Sequence, residues 1–576
     1  MRKRNIRLIA LLLTAVLLFS GCDKIGYLPD TPDAYAEVTA VDNGGGSLWD
    51  RLGDLFGFAQ QAEVVRFSDM EYSRPDMEAF EQLLLECCEI AREERNLDLV
   101  LETVYGFYDV YDRFYTDMAL ADIHYSRDLT DTYWEAEYNF CMENVGTVDA
   151  GLQELYYALA ESPIRNALEN AYFGKDFFLA YEGENLWDEA FLALLEEEGR
   201  LQNRYYELCA EAMEEEYYSE EYFARCSEPM TELLVELVRL RQEMAAALGY
   251  ESYPEFAYDF YHYRDYKPAQ AEAYLQEVGE TLTDLYRKIN ESDVWLLSAG
   301  YCSEADMYRY VQTAAENMGG LPGEAFALLE DGELYDLSYG VNKLDTSFEV
   351  YLWSYYQPYV FVSPYKDQTD KLSFAHEFGH FLNDYVCYGS MAGTDVAEVH
   401  SQAMEYLSLL YAEDTEALEI HKMADCLYVY IEQAAYALFE QKLYALEGED
   451  LTAENVQALY RQIGTQFGFD SLQWDTRDFV MVEHFYTNPM YIVSYVVSND
   501  LAMQIYEIEL AEPGAGLALY EELLYSQESF LIAFAESYGL KDPMSPKRLG
   551  ELDAFFQNSL TPQKNAPQEI LRRFAY

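Results

Sequence analysis

Two histidines four residues apart, His376 and His380, enclose a glutamate, Glu377, that directly follows the first of them. At 3.6 residues per turn, the two imidazoles of such a segment project from one face of a helix. This arrangement is typical of hydrolytic zinc sites, in which zinc lowers the pKa of a water that it binds to about 7. The adjacent carboxylate can take a proton from that water. The spacing therefore predicts that His376 and His380 bind one Zn²⁺ ion and that Glu377 is the catalytic base.

The residues around this segment favour a helix. Thr369 or Asp370 can cap its start, and Gly389 stands where the helix should end. Gly379 lowers helix stability by about 1 kcal/mol relative to alanine, so we expect another part of the chain to pack closely against the backbone there. The alternative to a metal site is a pair of structural helix histidines that are hydrogen-bonded to their neighbours.

Catalytic zinc usually has three protein ligands and a water, so the sequence should contain a third ligand. A second helix-like run begins at Asp395, and in it Glu398, Gln402 and Glu405 share one face. His400 lies about 200° around the helix from Glu398 and does not share that face. We predict Glu398 as the third ligand and Glu405 as a carboxylate that orients one of the histidines. Asp395 is the next candidate for the ligand, and solvated surface groups are the alternative.

Together these motifs resemble the zinc site of the oligoendopeptidase F and thimet oligopeptidase family of metallopeptidases. The similarity extends from about residue 231 to about residue 558, and the zinc motifs are its most specific part. It is carried by residues 372–380, 396–405 and 240–253, and by residues 484–491 together with Tyr495.

The resemblance implies a mainly α, two-lobed helical metallopeptidase with a small β-sheet beside the helix of His376. It implies that the two lobes flank a deep substrate channel, which admits short peptides. In the family, the late motif stabilises the oxyanion of the tetrahedral intermediate, a role that suits phenol and imidazole donors. Carried over to this chain, the role points to His484 with Tyr491 or Tyr495, and ordinary aromatic packing is the alternative. Residues 340–348 depart from the glycine- and basic-rich loop that relatives often carry, so substrate preference does not transfer.

Residues 350–362 are aromatic and β-branched and include Pro358. This composition predicts a strand, and the proline favours an edge position because it cannot donate to a ladder. An edge strand beside a zinc site could bind an extended peptide through main-chain hydrogen bonds. An ordinary hairpin strand explains the pattern equally well.

The amino terminus has the pattern of a targeting signal. Four basic residues precede an apolar run from Leu8 to Phe19 that is too short to span a membrane, and Cys22 follows. The segment resembles a bacterial lipoprotein signal, although Phe19 stands where leucine is usual. We predict a lipoprotein signal peptide over residues 1–21 and a polar tether over residues 22–59, with lipidated Cys22 as an anchor to the outside of the cytoplasmic membrane. Secretion after cleavage nearby is the alternative.

Composition argues against several other functions. The chain is strongly acidic, with 105 Asp and Glu against 37 Lys and Arg, and removal of residues 1–21 takes away four basic residues and no acidic ones. Because the remaining chain carries a large negative charge, nucleic acid and anionic lipid headgroups are poor partners. Whether the acidity selects basic peptides stays open. The eight cysteines after Cys22 have no CxxC spacing, which argues against zinc-finger and redox motifs and predicts buried free thiols.

Apolar residues at helical spacing predict a mainly helical chain. The clearest predicted helices are residues 77–96, 152–169, 186–216, 230–248 and 269–291. We predict an N-terminal helical domain over residues 60–230 and a zinc peptidase catalytic domain over residues 231–576. His124, His262 and His421 lie outside any ligand spacing, and we expect them to be packed or at the surface.

These observations predict a zinc-dependent endopeptidase that hydrolyses oligopeptides outside the cytoplasmic membrane. A metallocarboxypeptidase on a similar helical scaffold would share the histidine motif but would remove C-terminal residues one at a time. A non-catalytic peptide-binding lipoprotein would keep the cleft without the chemistry, and an intact Glu377 argues against it.

Overall fold

A computed structural model describes residues 64–181, 189–212, 219–344, 346–389, 393–471, 474–526 and 528–560. The predicted signal peptide, the tether and Cys22 lie outside the described residues. Within the described part of the chain, no helix combines the length and the apolar character that a membrane span requires.

Helices make up most of the described chain. Before the sheet they are α1 (Met77–Glu93), α2 (Leu97–Arg127), α3 (Thr132–Ala160), α4 (Arg165–Leu168), α5 (Glu189–Ala212), α6 (Glu220–Ala247), α7 (Tyr253–Phe260), α8 (Pro268–Asn290), α9 (Glu304–Met318) and α10 (Gly320–Asp331). The strands are β1 (Tyr335–Asp336), β2 (Phe348–Leu352) and β3 (Gln357–Phe361). The later helices are α11 (Asp370–Cys387), α12 (Thr394–Tyr411), α13 (Glu416–Leu443), α14 (Ala453–Gln466), α15 (His484–Thr487), α16 (Val493–Ala511), α17 (Ala515–Leu523), α18 (Leu531–Ser537) and α19 (Pro546–Leu560).

The predicted helices are present, but two of them differ from the prediction near a proline. Helix α1 begins as predicted, because the Asp76 side chain accepts a hydrogen bond from the Ala79 N–H and caps the first turn. The predicted helix over residues 152–169 is interrupted between α3 and α4, where Pro163 disfavours helical geometry in the residue before it. Helix α6 instead continues through Pro229, so the predicted start at residue 230 lies inside a longer helix.

The sheet has three strands in the order β1-β3-β2, so β3 is the central strand. The predicted edge position for Pro358 is therefore wrong. Strand β2 pairs with the whole of β3 in antiparallel register, and Tyr351 faces Pro358. Strand β1 pairs in parallel only with Val360 and Phe361. Proline is tolerated in this central strand because β1 ends before it reaches Pro358, and no ladder bond is required from the missing N–H.

A tight turn divides the segment that the sequence presents as one strand. A single 3-10 turn, Trp353–Tyr355, separates β2 from β3, and Tyr356 adopts a left-handed conformation with φ of 53°. The segment is thus a hairpin, and peptide binding at a sheet edge stays a prediction. A Cβ at Gly389 would lie 2.7 Å from the Trp353 ring, so the hairpin packs against the residues that follow α11.

The described residues form two compact units. One comprises residues 64–181, 319–344, 346–364 and 380–389, and the other comprises residues 189–212, 219–318, 365–379, 393–471, 474–526 and 528–560. The predicted domains, residues 60–230 and 231–576, divide the chain differently, and they stay a prediction. The predicted fold class, mainly α with a small β-sheet, is confirmed.

In the second unit, α12 packs along α16, and α8 packs along α13. Helix α12 is buried at every position from Thr394 to Leu409. Charged side chains on such a helix must find partners inside the protein, because burial of an unpaired charge is costly. The contacts of Asp395, Glu398 and Glu405 are therefore the key to this region.

The cysteines of the described residues are free thiols, as the sequence predicts. Six of them are buried, namely Cys87, Cys88, Cys141, Cys226, Cys302 and Cys426. The other two, Cys209 and Cys387, are partly buried. Burial raises the pKa of several of these thiols, for example to about 12 for Cys426. Such thiols are poor nucleophiles, which fits a structural role.

Candidate metal centre

Helix α11 carries the HExxH segment, and its start is fixed by Asp370. The Asp370 carboxylate accepts hydrogen bonds from the N–H groups of Tyr365 and Lys366 at 2.7 and 2.8 Å. At the other end, Gly389 adopts a φ of 90°, and its N–H reaches back to the Asp384 carbonyl. Both ends lie where the sequence predicts them.

Gly379 allows α11 and α12 to approach closely. A Cβ at this position would lie 2.6 Å from Cα of Ser401 and 2.7 Å from the carbonyl oxygen of His400. The expectation that something packs against the backbone at Gly379 is therefore confirmed. The close approach brings Nε2 of His376 to 3.6 Å from Oε2 of Glu398 on the neighbouring helix.

His376, His380 and Glu398 each offer one ligand atom, and these three atoms lie within 4.8 Å of one another. Two imidazole nitrogens and one carboxylate oxygen are a donor set that hydrolytic metal sites use, with a further position left for water. His380 and Glu398 are buried, and the side chain of His376 is 22% exposed. The residues present therefore fit a catalytic metal ion.

Glu405 contacts the ring nitrogen of His376 that points away from Glu398. Its Oε1 lies 2.9 Å from Nδ1 of His376, and its Oε2 lies 2.7 Å from Nζ of Lys422. Burial would raise the pKa of Glu405, but Lys422 and His376 outweigh it and hold the pKa below its ordinary value. An ionised carboxylate only accepts, so the proton of this contact is on Nδ1 and Nε2 is left for a metal.

Glu377 is buried, and within the described residues its Oε2 receives no hydrogen bond. Burial raises the pKa of Glu377 to about 7, against the lowering effect of His376. Burial also lowers the pKa of His376, but the hydrogen bond to Glu405 and the charge of Glu398 raise it to about 9. A carboxyl group with a pKa near neutrality and a free oxygen is suited to accept and return a proton.

Tyr491 binds the carboxylate of Glu398. Its hydroxyl donates to Oε1 at 2.7 Å, and Ser401 donates to Oε2 at 3.2 Å. Burial raises the pKa of Glu398, and His376 and these two hydroxyls act in the opposite direction. The carboxylate is thus held on both oxygens by groups of its own unit.

The three residues of the late motif lie together. The rings of His484, Tyr491 and Tyr495 have centroids 5.2 to 5.8 Å apart, and the Tyr495 hydroxyl lies 3.3 Å from Nε2 of His484. Desolvation lowers the pKa of His484 to about 4, so its imidazole is neutral at pH 7. Tyr491 is 1% exposed, whereas His484 and Tyr495 are only partly buried.

Comparisons with known proteins bear on the fold and on the class of protein. Residues 67–185 match the family model described as the Peptidase M3 N-terminal domain. No curated protein matches the chain. Similar solved structures include a putative oligoendopeptidase F, at a TM-score of 0.74 and 20% identity over 87% of this chain and 99% of that chain. A putative oligoendopeptidase F from Bacillus anthracis str. Ames matches at a TM-score of 0.71 and 19% identity, over 88% of this chain and 99% of that chain.

A structure titled PZ peptidase A with inhibitor 2 matches at a TM-score of 0.72 and 18% identity, over 86% of this chain and 99% of that chain. The fold is that of oligoendopeptidase F. Together with the Peptidase M3 N-terminal domain match, it supports a metalloendopeptidase. The predicted enzyme class and the predicted fold therefore agree with the comparisons.

A buried arginine, Arg264, binds the Asp395 carboxylate near the start of α12, and no sequence pattern marks this contact. Nε of Arg264 lies 3.1 Å from the Asp395 carboxylate, its Nη1 donates to the Met490 carbonyl at 2.8 Å, and its Nη2 donates to Ser494 at 2.8 Å. Tyr266 donates to the other Asp395 oxygen at 2.8 Å. Asp395 is thus ion-paired with a buried arginine, and among the described residues the group that could hold a metal contains Glu398 and not Asp395.

Two further buried side chains hold the late motif. Nε2 of His262 lies 2.9 Å from the carbonyl oxygen of Pro489, and Arg241 donates to the Phe485 carbonyl at 2.9 Å. His262 is therefore packed, as expected, but it also fixes the backbone just before Tyr491. The partners are 227 and 244 residues apart along the chain, so no local spacing could have revealed these contacts.

His400 and His124 pack against aromatic rings, and His421 is buried. His400 faces the rings of Tyr520 and Phe534 and lies away from the metal cluster, as its helical position predicts. His124 stacks on Trp134 with ring centroids 4.2 Å apart. Burial lowers the pKa of both imidazoles to about 4.

Proposed function

We propose that the protein is a zinc-dependent endopeptidase that hydrolyses short peptides outside the cytoplasmic membrane. The observation that carries the proposal is the cluster of His376, His380 and Glu398, with the partner-free oxygen of Glu377 beside it. The names of the similar structures, oligoendopeptidases and a peptidase with an inhibitor, support peptides as substrates.

His376, His380 and Glu398 would hold the ion. Zinc supplies a Lewis acid that polarises the scissile carbonyl and makes water acidic enough to ionise near neutral pH. Two histidines and one carboxylate are a ligand set that suits zinc better than magnesium or calcium, which prefer oxygen ligands.

Glu377 removes a proton from the attacking water and then delivers it to the nitrogen of the leaving amine. Burial tunes this group, because it brings the pKa of the carboxyl to about 7, where it both accepts and returns a proton at the working pH. The neighbouring charges of Glu398 and Glu405 act in the same direction.

His484 and Tyr495 would stabilise the oxyanion of the tetrahedral intermediate. Both side chains are partly exposed, and the Tyr495 hydroxyl and Nε2 of His484 lie within 3.3 Å of each other. The Tyr491 hydroxyl instead donates a hydrogen bond to Glu398, so its contribution is to orient a ligand. We therefore assign the orientation of Glu398 to Tyr491 and the oxyanion role to Tyr495 with His484.

Product analysis tests the proposed reaction. A mixed peptide library is incubated with the zinc-loaded protein, and the products are identified by mass spectrometry. We expect internal cuts, and Glu377→Gln should retain zinc but lose several orders of magnitude in turnover. Stepwise loss of C-terminal residues would instead identify a metallocarboxypeptidase, and binding without cleavage would identify a peptide-binding protein.

The proposed location depends on residues 1–21 and Cys22. If Cys22 carries acyl chains, native protein should require detergent for extraction, because each buried CH₂ contributes about 0.8 kcal/mol to membrane binding. Cys22→Ser should release the protein and retain peptidase activity. Wild-type protein in the soluble fraction, without lipid mass on its first residue, would favour secretion instead.

A further inference from the structure

Lys422 is a buried cation next to the proposed metal centre that the proposed reaction does not use. It lies on α13, its side chain is 5% exposed, and its Nζ contacts Glu405 at 2.7 Å and Asp425 at 3.1 Å. Nζ also lies 5.2 Å from the centroid of the Tyr406 ring. The lysine is thus fixed by two carboxylates and an aromatic face, and it donates to the carboxylate that orients His376.

The contacts form one line of side chains. Lys422 binds Oε2 of Glu405, and Oε1 of the same carboxylate accepts from Nδ1 of His376. The opposite ring nitrogen, Nε2, lies 3.6 Å from Oε2 of Glu398. A carboxylate held by a cation on one oxygen has a fixed plane, so the other oxygen sets the rotation of the imidazole.

We propose that Lys422 is a positioning residue for the metal centre, which fixes the Glu405 carboxylate and thereby holds His376 in the orientation that binds zinc. The inference rests on the proposed zinc site and goes beyond it, because it assigns a role to a residue that touches neither metal nor substrate.

Electrostatic repulsion and positioning predict opposite effects of a Lys422 substitution on zinc affinity. A lysine cation near a Zn²⁺ ion repels it, so removal of the positive charge should strengthen zinc binding if charge alone mattered. Positioning predicts weaker binding, since the imidazole loses its fixed acceptor. The sign of the change in zinc affinity therefore separates the two explanations.

Lys343 provides a matched control. It is also buried, with its side chain 2% exposed, and its Nζ lies 3.0 Å from Oδ1 of Asp336. The other side-chain partners of Asp336 are Arg127 and Ser338, and neither is a candidate metal ligand. Lys343→Met therefore removes a buried lysine–carboxylate pair without any change at a metal-binding histidine.

The experiment measures zinc affinity by competition with a chelator at one fixed pH, and urea unfolding in parallel. We expect Lys422→Met to weaken zinc binding about 10- to 100-fold, as loss of a group that orients a ligand does. Lys343→Met should reduce stability and leave zinc affinity unchanged. Glu405→Gln should weaken zinc binding, and Lys422→Met should add little in that background, because both changes act through the same carboxylate.

Equal or tighter zinc binding by Lys422→Met would overturn the inference, and so would a full additional loss in the Glu405→Gln background. If Lys422→Met does not fold, Lys422→Leu removes the donor with a side chain of different shape, and wild-type zinc affinity in that variant would also overturn it. Failure of the wild-type protein to bind zinc would refute the proposed function itself, which is a different result.

Discussion

The hydroxyl of Tyr491 donates a hydrogen bond to Oε1 of Glu398 at 2.7 Å. Tyr491 and Glu398 are each 1% exposed, so the contact is shielded from solvent. A phenol that donates to a candidate metal ligand is occupied in orienting it, whereas Tyr495 lies beside His484 in a partly exposed position. The two tyrosines of the late motif therefore have different environments, and they should respond differently to substitution.

Tyr491→Phe and Tyr495→Phe remove the same hydroxyl group from neighbouring positions. We expect Tyr491→Phe to weaken zinc binding about 10-fold, because Glu398 loses a hydrogen bond that orients it. Tyr495→Phe should retain zinc and lower kcat by about 10²-fold, as loss of an oxyanion donor does. Zinc affinity and peptide turnover are measured for both variants, and an identical pattern in the two would contradict the division of roles.

Much of this centre is accessible from sequence because its spacing is local. Positions four apart on one helix fix His376 and His380, and positions seven apart on the next helix place Glu398 and Glu405 on one face. Even the approach of the two helices leaves a local trace, a glycine at position 379 where helix propensity disfavours it. Periodicity therefore suffices for the helices and for the candidate ligands.

Contacts over long sequence separation are what the sequence could not provide. Arg264 meets Asp395 across 131 residues and Met490 across 226, and no pattern marks such partners. The prediction of a single strand over residues 350–362 is wrong for another reason. The sequence gives little sign of the turn at Trp353–Tyr355, because two of its three residues are aromatic and none is glycine or proline.

Glu398→Ala and Glu405→Ala differ in what they remove. Glu398→Ala deletes a candidate ligand and should abolish zinc binding, whereas Glu405→Ala leaves His376 without its acceptor and should weaken zinc binding about 10- to 100-fold. Zinc content after dialysis against a weak chelator distinguishes the two outcomes. Full zinc retention by Glu398→Ala would require another third ligand. Asp395 is a poor candidate, since it is ion-paired with buried Arg264 and lies outside the group of described residues that could hold a metal.

Gly379→Ala should separate α11 from α12. The new Cβ would lie 2.6 Å from Cα of Ser401, and backbone at that distance cannot yield without a shift of the helices. We expect a loss of about 1–3 kcal/mol in the free energy of unfolding, as overpacking costs, together with weaker zinc binding. Gly146→Ala is the control, because a Cβ at this position in α3 would meet nothing within 4 Å, and the variant should gain up to about 1 kcal/mol. Equal urea unfolding curves for both variants would contradict the packing argument.

Glu440 should make stability fall as pH rises. Burial raises the pKa of this carboxyl to about 8, against the effects of the Met490 N–H, Arg241 and Arg264, and within the described residues its Oε1 has no hydrogen-bond partner. The unfolded chain releases this proton near its ordinary pKa, and the folded chain keeps it until about pH 8. Between these two pKa values the free energy of unfolding falls by about 1.4 kcal/mol per pH unit through this group.

The variant Glu440→Gln removes this contribution, so its stability should fall less steeply than that of the wild type between about pH 5.5 and 7.5. Urea unfolding across that range measures both slopes, and parallel curves would show that Glu440 ionises in the folded protein as it does in the unfolded chain.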